Sequence, residues 1–155
     1  MAILINKDSK VIVLGITGKS GALQTKAMLD AGTDIVAGVT PGKGGQEVYG
    51  VPVYNFVSEA AAEHEFDTAI CFVPPFAAKD SCYEAIDAGV GLVVLTTEEM
   101  ELNDSVEIIE YAHAHGATLV GPGCAGVLAP EECKVGAHPI RFFKKGHVGV
   151  VSKSG

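Results

Sequence analysis

Gly15, Gly18 and Gly21 recur at intervals of three directly after the apolar run Val11-Ile12-Val13-Leu14, and a helical pattern follows over residues 20–31. A buried strand, a tight glycine turn and a helix start leave backbone N–H groups without partners, at the positive end of the helix dipole. That arrangement suits a phosphate. Thr17, Lys19 and Ser20 add hydroxyls and a cation at the same turn. The spacing G-x-x-G-x-x-G is one residue longer in its first gap than the dinucleotide fingerprint. Gly18-Lys19-Ser20 matches the end of a P-loop, but the first P-loop glycine would fall on Val13, which excludes that motif. A glycine turn without a ligand is the plain alternative, and the hydroxyls and lysine argue against it.

The next strand helps select the ligand. Dinucleotide sites that take NAD carry an acid about 20 residues past the glycines, where it holds the ribose 2′-hydroxyl. Here the strand at 34–39 runs into Thr40-Pro41-Gly42-Lys43-Gly44-Gly45, with no acid at its tip. A lysine in a flexible glycine loop suits a further phosphate. The two nucleotides with such a phosphate are NADP and coenzyme A. A mobile loop with one solvated lysine is the bland reading.

The elements that must position these groups alternate along the chain. Strands are predicted near 10–15, 34–39, 51–54, 68–73, 91–96, 117–121 and 147–152. Helices are predicted near 20–31, 56–63, 77–88 and 104–115, the last with Val106, Ile109 and Ala112 on its apolar face. Apolar runs such as Thr68–Val73 fit strands covered on both faces. The alternation implies an α/β fold: a doubly wound, mainly parallel sheet with helices on both faces and right-handed crossovers. Ligands of such sheets bind off the carboxyl ends of the strands. Besides the two phosphate-facing loops, that edge should carry Pro74-Pro75-Phe76, Thr96-Thr97-Glu98 and Gly121–Gly126. Pro74 and Pro75 offer an apolar wall for an adenine or a pantetheine arm. Thr96, Thr97 and Glu98 offer hydroxyls and an acceptor, or else ordinary capping. Cys124 reads either as a small filler or as a neighbour of a cofactor thiol, with filler the plainer reading.

Composition narrows the classes further. A chain of 155 residues makes one ordinary domain, and 48% hydrophobic content with 19 glycines and no tryptophan suits buried parallel strands. A net charge of −8 argues against nucleic acid and anionic membranes as partners. No apolar run approaches the ~20 residues of a membrane span. Cys71, Cys82, Cys124 and Cys133 form no C-x-x-C pair, and His64, His113, His115, His138 and His147 show no ligand spacing, so no metal site is expected. A reduced, cytoplasmic setting is the default, with the mitochondrial matrix open if a transit segment was removed. The run His147–Gly155 repeats the opening grammar of strand and glycine turn. It reads as a domain border at which a second domain would start.

Taken in order, Gly15-Ile16-Thr17-Gly18, Val39–Gly45, Glu84–Gly89, Gly121–Cys124 and Val151–Gly155 resemble the N-terminal CoA-binding domain of the succinyl-CoA synthetase (succinate–CoA ligase) α subunits. The resemblance spans residues 1–155. It implies a Rossmann-like domain that binds coenzyme A, part of an acid–thiol ligase coupled to ATP or GTP. It implies CoA contacts at Thr17, Gly18, Lys19, Ser20, Lys43, Thr96, Thr97 and Glu98, and it places Gly123 and Cys124 beside the CoA thiol. It implies a phosphate-holding helix start at Ser154 and Gly155. It also implies a flavodoxin-like domain bearing the phosphorylated histidine, and an ATP-grasp β subunit as partner. This chain carries neither, so alone it should not complete the reaction. Three positions depart from the family pattern: Gly123-Cys124-Ala125 for Asn-Cys-Pro, Pro74-Pro75-Phe76 for Pro-Ala-Pro, and Glu98-Glu99 for Glu-Gly. These bear on the acid substrate more than on CoA. A stand-alone CoA-binding protein and an NADP-binding domain are the rival readings. If Lys43 serves the ligand, Lys43→Ala weakens CoA binding in calorimetry and leaves the thermal midpoint nearly unchanged; a large loss of stability would make Lys43 structural.

Overall fold

Alternating β-branched residues and glycine turns set the order of elements. The computed structural model describes residues 3–153. The strand Lys10–Leu14 (β1) leads through the glycine turn into the helix Lys19–Asp30 (α1), followed by Asp34–Val39 (β2). A short hairpin of Glu47–Val48 (β3) and Val51–Tyr54 (β4) precedes Val57–Glu63 (α2). Then come Thr68–Cys71 (β5), Pro75–Asp87 (α3), Leu92–Leu95 (β6), Leu102–Ala114 (α4) and Thr118–Val120 (β7). The chain continues into a second hairpin, Gly126–Ala129 (β8) and Cys133–Gly136 (β9), and a 3₁₀ turn at Ile140–Phe142.

The main sheet has the order β3-β4-β2-β1-β5-β6-β7, all parallel except β3. The order reverses between β1 and β5, so the crevice of this doubly wound sheet opens off the ends of those two strands. Leu14 is level with Val39 and Cys71, Val39 with Tyr54, and Cys71 with Leu95. The chain therefore leaves the sheet at Gly15, Thr40, Asn55, Phe72 and Thr96 on one common edge.

The pleat divides the core. Ile12, Leu14, Ala69, Cys71, Val93 and Leu95 face α2, α3 and α4 and bury Val57, Cys82, Ile86 and Ile108. Val11, Val13, Ile35, Ile70, Leu92 and Val94 face the other way, where Met28 of α1 and Ala129, Cys133 and Val135 of the second hairpin close over them. Each fully buried aliphatic side chain contributes about 1.5–3 kcal/mol, so both layers matter. Sequence reasoning missed β8 and β9, and the hairpin takes a place that alternation would give to a helix. Gly126 and Gly136 pair across the ladder, and a Cβ on either would lie 2.2 or 2.3 Å from the opposite backbone. Hydrogen bonds tie it down, from Lys134 N–H to Thr33 Oγ1 at 3.0 Å and from Gly136 N–H to the Met28 sulfur at 3.4 Å.

Two further expectations fail. Residues 147–152 form no strand, and Val148, Val150 and Val151 are exposed. β-branched residues alone do not make a strand without a partner ladder, and no strand pairing among the described residues engages this segment. Ser154 and Gly155 lie outside the described residues. In α4 the buried face is Ile108 and Ala112, whereas Val106 and Ile109 are exposed. Burial of Ile108 and Ala112 in the core sets the helix phase, and beside them Lys79 of α3 bridges Asp104 at 2.6 Å and Glu107 at 3.1 Å while Tyr111 stacks on Tyr83.

The join between β1 and α1 is tight: a Cβ on Gly21 would sit 2.1 Å from the Gly15 carbonyl oxygen. Backbone cannot yield as a side chain does. Gly21→Ala should therefore destabilise the domain by about 1–3 kcal/mol, read as a lower urea midpoint at unchanged slope; an unshifted midpoint would show that the turn can open freely.

Candidate functional site at the strand ends

The glycine turn is held from both sides. Gly15 N–H donates to Val39 O at 2.8 Å, and Phe72 N–H donates to Leu14 O at 2.9 Å. Gly15 has a φ of +80°, and a Cβ there would lie 2.9 Å from Phe72 O. Both demands exclude other residues. Gly18 then caps α1 through its backbone alone, with no side-chain cap and no acid in the first turn. Gly18 N–H returns to Gly15 O and Ala22 N–H to Gly18 O. Among the described residues the N–H groups of Lys19, Ser20 and Gly21 have no partner. These are the orphan donors at a helix start, with the positive end of the dipole behind them.

The second loop lies against the first. Thr17 N–H reaches Thr40 Oγ1 at 3.4 Å, and Thr40 Oγ1 donates to Val39 O at 2.8 Å. The loop folds on itself through Lys43 N–H to Thr40 O at 3.0 Å and Gly45 N–H to Val53 O at 2.9 Å. Asn55 accepts from Gly42 N–H at 2.9 Å and from Gly44 N–H at 3.1 Å. Lys19 and Lys43 are exposed and form no ion pair among the described residues.

The third and fourth loops complete the edge. Pro74 caps α3 and Pro75 opens it, two residues before the predicted start. Proline suits a first helical turn because its missing N–H has no intrahelical role there. Pro74, Pro75 and Phe76 are at the surface, Phe76 exposed at 85%, and give the edge its apolar lip. The α3 start also lacks an acid in its first turn and a side-chain cap, whereas α2 and α4 carry Glu59 and Asp104 in theirs. The two helices that follow the central strands thus keep their positive ends uncompensated.

Thr96 Oγ1 donates to Cys71 O at 2.6 Å and Thr97 Oγ1 to Val73 O at 2.8 Å, so both hydroxyl protons tie the end of β6 to the end of β5. Their oxygens retain lone pairs for a donor. Thr97 is buried and Glu98 exposed. Gly123 N–H donates to Thr97 O at 2.9 Å, which brings the Gly121–Gly126 loop to the same edge. Cys124 is half-buried, its Sγ 3.3 Å from both Leu95 O and Val120 O. Thr17, Gly18, Lys43, Pro74, Thr96, Thr97, Glu98, Gly123 and Cys124 are therefore carried on loops leaving one edge, with Lys19 and Ser20 in the first turn of α1 at the same edge. Sequence reasoning missed Thr40 and Asn55, whose signal was an Asx or hydroxyl residue directly after a strand.

The class this defines is a Rossmann-like domain with an anion-ready helix start at its switch point. Residues 6–99 match the family model described as a CoA binding domain, and the chain belongs to that family. Across its whole length it is 52% identical to the succinate–CoA ligase [ADP-forming] subunit alpha of Staphylococcus epidermidis, of which it covers 51%. It is 51% identical to subunit alpha 1 of the same ligase from Archaeoglobus fulgidus, covering 53% of it. The chain thus spans about half the length of these curated relatives. Among solved structures, the ATP citrate lyase of Methanothrix soehngenii in complex with citrate and coenzyme A aligns with a TM-score of 0.76 at 21% identity, over 86% of this chain and 24% of the other. A dinucleotide-forming acetyl-coenzyme A synthetase of Ca. Korarchaeum cryptofilum aligns at 0.74 and 22% identity, over 86% and 30%. These two show the shared fold. No helix among the described residues is long and apolar enough to cross a membrane.

Cys71 and Cys124 lie at the strand ends, whereas Cys133 lies beside Thr33 at the opposite end of the sheet. The hydrogen bond with Cys82 and full burial push Cys71 well above the usual thiol range, and burial pushes Cys124 and Cys133 up. A pKa raised by folding gives stability that is full below the unfolded value, about 8.5 for a thiol, and lost as pH rises through it towards the folded value. The thermal midpoint should therefore fall between about pH 8 and pH 10, and Cys71→Ala should reduce that slope; a flat profile would contradict the buried-thiol account.

Proposed function

We propose that this chain is the CoA-binding domain of a nucleotide-dependent acyl-CoA synthetase of the succinate–CoA ligase type, its α subunit. The observation that carries the reading is the start of α1. Three unpartnered N–H groups lie there with no acid in the first turn, beside a loop that presents a lysine with no ion pair among the described residues. The donor set fits CoA: Lys19, Ser20 and the α1 amides for one phosphate group, and Lys43 for the additional ribose phosphate. Thr17 and Gly18 shape that turn. Pro74 supplies apolar surface for the less polar part of the molecule, and Thr96, Thr97 and Glu98 line the far side.

In this reading the domain's contribution is positioning and electrostatics rather than proton transfer. The CoA thiol is presented near Gly123 and Cys124 to an acyl phosphate formed elsewhere. Gly123 offers no side-chain amide there, and a raised Cys124 thiol is unsuited to act as a base. The remaining parts are a flavodoxin-like domain bearing a phosphohistidine, and an ATP-grasp β subunit with the nucleoside triphosphate. Support comes from the half-length coverage of the α subunits. The chain by itself is expected to bind CoA and to show no ligase turnover. The proposed setting is the cytoplasm or the mitochondrial matrix.

Calorimetric titration with CoA, dephospho-CoA and NADP tests the reading. CoA should bind best. Loss of one charge-assisted phosphate contact costs roughly 1.5–3 kcal/mol, about tenfold or more in affinity, so dephospho-CoA should be weaker by that factor. Equal affinity of the two would remove the role given to Lys43, and a preference for NADP would overturn the reading.

A further inference from the structure

Lys43 has a long side chain and no ion pair among the described residues, so the backbone of its loop decides where its ammonium group dwells. That backbone is clamped by one side chain. The Asn55 carbonyl oxygen accepts the N–H groups of Gly42 and Gly44, the two neighbours of Lys43. A Cβ on Gly44 would lie 2.5 Å from the Asn55 amide nitrogen, so the amide lies close against the loop. Asn55 is itself fixed. It follows the end of β4, and its backbone N–H donates to Glu59 Oε2 at 2.9 Å in the first turn of α2.

We propose that Asn55 is a positioning residue for the phosphate-sensing loop, acting through Lys43. This rests on the CoA reading above. With the amide oxygen in place, the Gly42 and Gly44 N–H groups are satisfied inside the loop and Lys43 stands at its tip. Without it, both N–H groups turn to water, and the loop keeps its backbone bonds from Lys43 N–H to Thr40 O, Gly45 N–H to Val53 O and Gln46 N–H to Lys43 O. The lysine then samples a wider volume before a phosphate arrives. Binding must order it, which costs affinity without removing any contact in the bound state. Asn55 carries no charge and needs no contact with the ligand for this effect. An oxygen that merely stabilised the fold would alter binding of every ligand alike and regardless of Lys43.

A double-substitution cycle on the chain separates the two. CoA and dephospho-CoA are titrated into wild type, Asn55→Ala, Lys43→Ala and the combined variant. Asn55→Ala should weaken CoA by about three- to tenfold, the scale of one lost hydrogen bond. Dephospho-CoA should be nearly unaffected, and the effect on CoA should fall below about twofold when Lys43 is already alanine. Amide hydrogen exchange supplies a ligand-free readout. Gly42 and Gly44 should lose protection in Asn55→Ala and keep it in Asn55→Asp, which retains an acceptor oxygen. Should Asn55→Ala prove unstable, Asn55→Ser shortens the reach and replaces it in the cycle. Losses that add in the combined variant, or unchanged exchange at Gly42 and Gly44, overturn this inference alone. Wild-type protein that takes up no CoA overturns the functional reading and this inference with it.

Discussion

The close approach of α1 to the end of β1 is the constraint on which the rest depends. Gly21 sits so near the Gly15 carbonyl that no side chain fits between them, and Gly15 itself needs a positive φ against Phe72. Because the helix begins at once, its first N–H groups open directly at the switch point. A longer or looser turn would carry those donors away from the crevice. The glycines are therefore not spare flexibility. They remove bulk at two contacts and one strained dihedral, and so fix the direction in which a helix dipole points.

Electrostatics completes what the turn begins. The chain carries a net charge of −8, a poor background for a polyanion. The carboxylates are distributed to relieve this locally. Glu59 and Asp104 sit in the first turns of α2 and α4, while α1 and α3 have none. Asp104 and Glu107 are also engaged by Lys79 on α3. The positive ends left open are thus those flanking the β1–β5 crevice. Attraction at short range outweighs a distant unfavourable net charge because solvent screens the distant charges within about 10 Å at moderate salt.

The edge works as a set because the strands end level. Register alone brings five exit points to one line, and the side chains there are cross-tied: Thr40 to the glycine turn, Asn55 to the Thr40–Gly45 loop, Thr96 and Thr97 to the end of β5, Gly123 to Thr97. Such ties preorganise a surface before a ligand arrives. They agree with membership of the CoA binding domain family, and with the proposed role of holding a thiol-bearing nucleotide still rather than transforming it.

Much of this was legible in the residues. The strand–glycine–helix grammar and the acid-free tip of β2 left NADP and coenzyme A as the candidate ligands, and the alternation of elements selected a doubly wound parallel sheet. Those features are local: they depend on backbone freedom, period and charge within a short window. What the sequence could not decide was anything set by distant partners. The glycines at Gly126 and Gly136 announce a hairpin only once they face each other. The phase of α4 follows from which of its apolar residues meets the core: Ile108 is buried there, and Val106 and Ile109 are not. Val148, Val150 and Val151 read as a strand, yet they join no ladder among the described residues, because a strand is a property of two segments. The glycine turn and the open helix start behind it were thus determined by sequence. Tertiary structure alone decided which loops share its edge, and which side chains are already spent holding it in place.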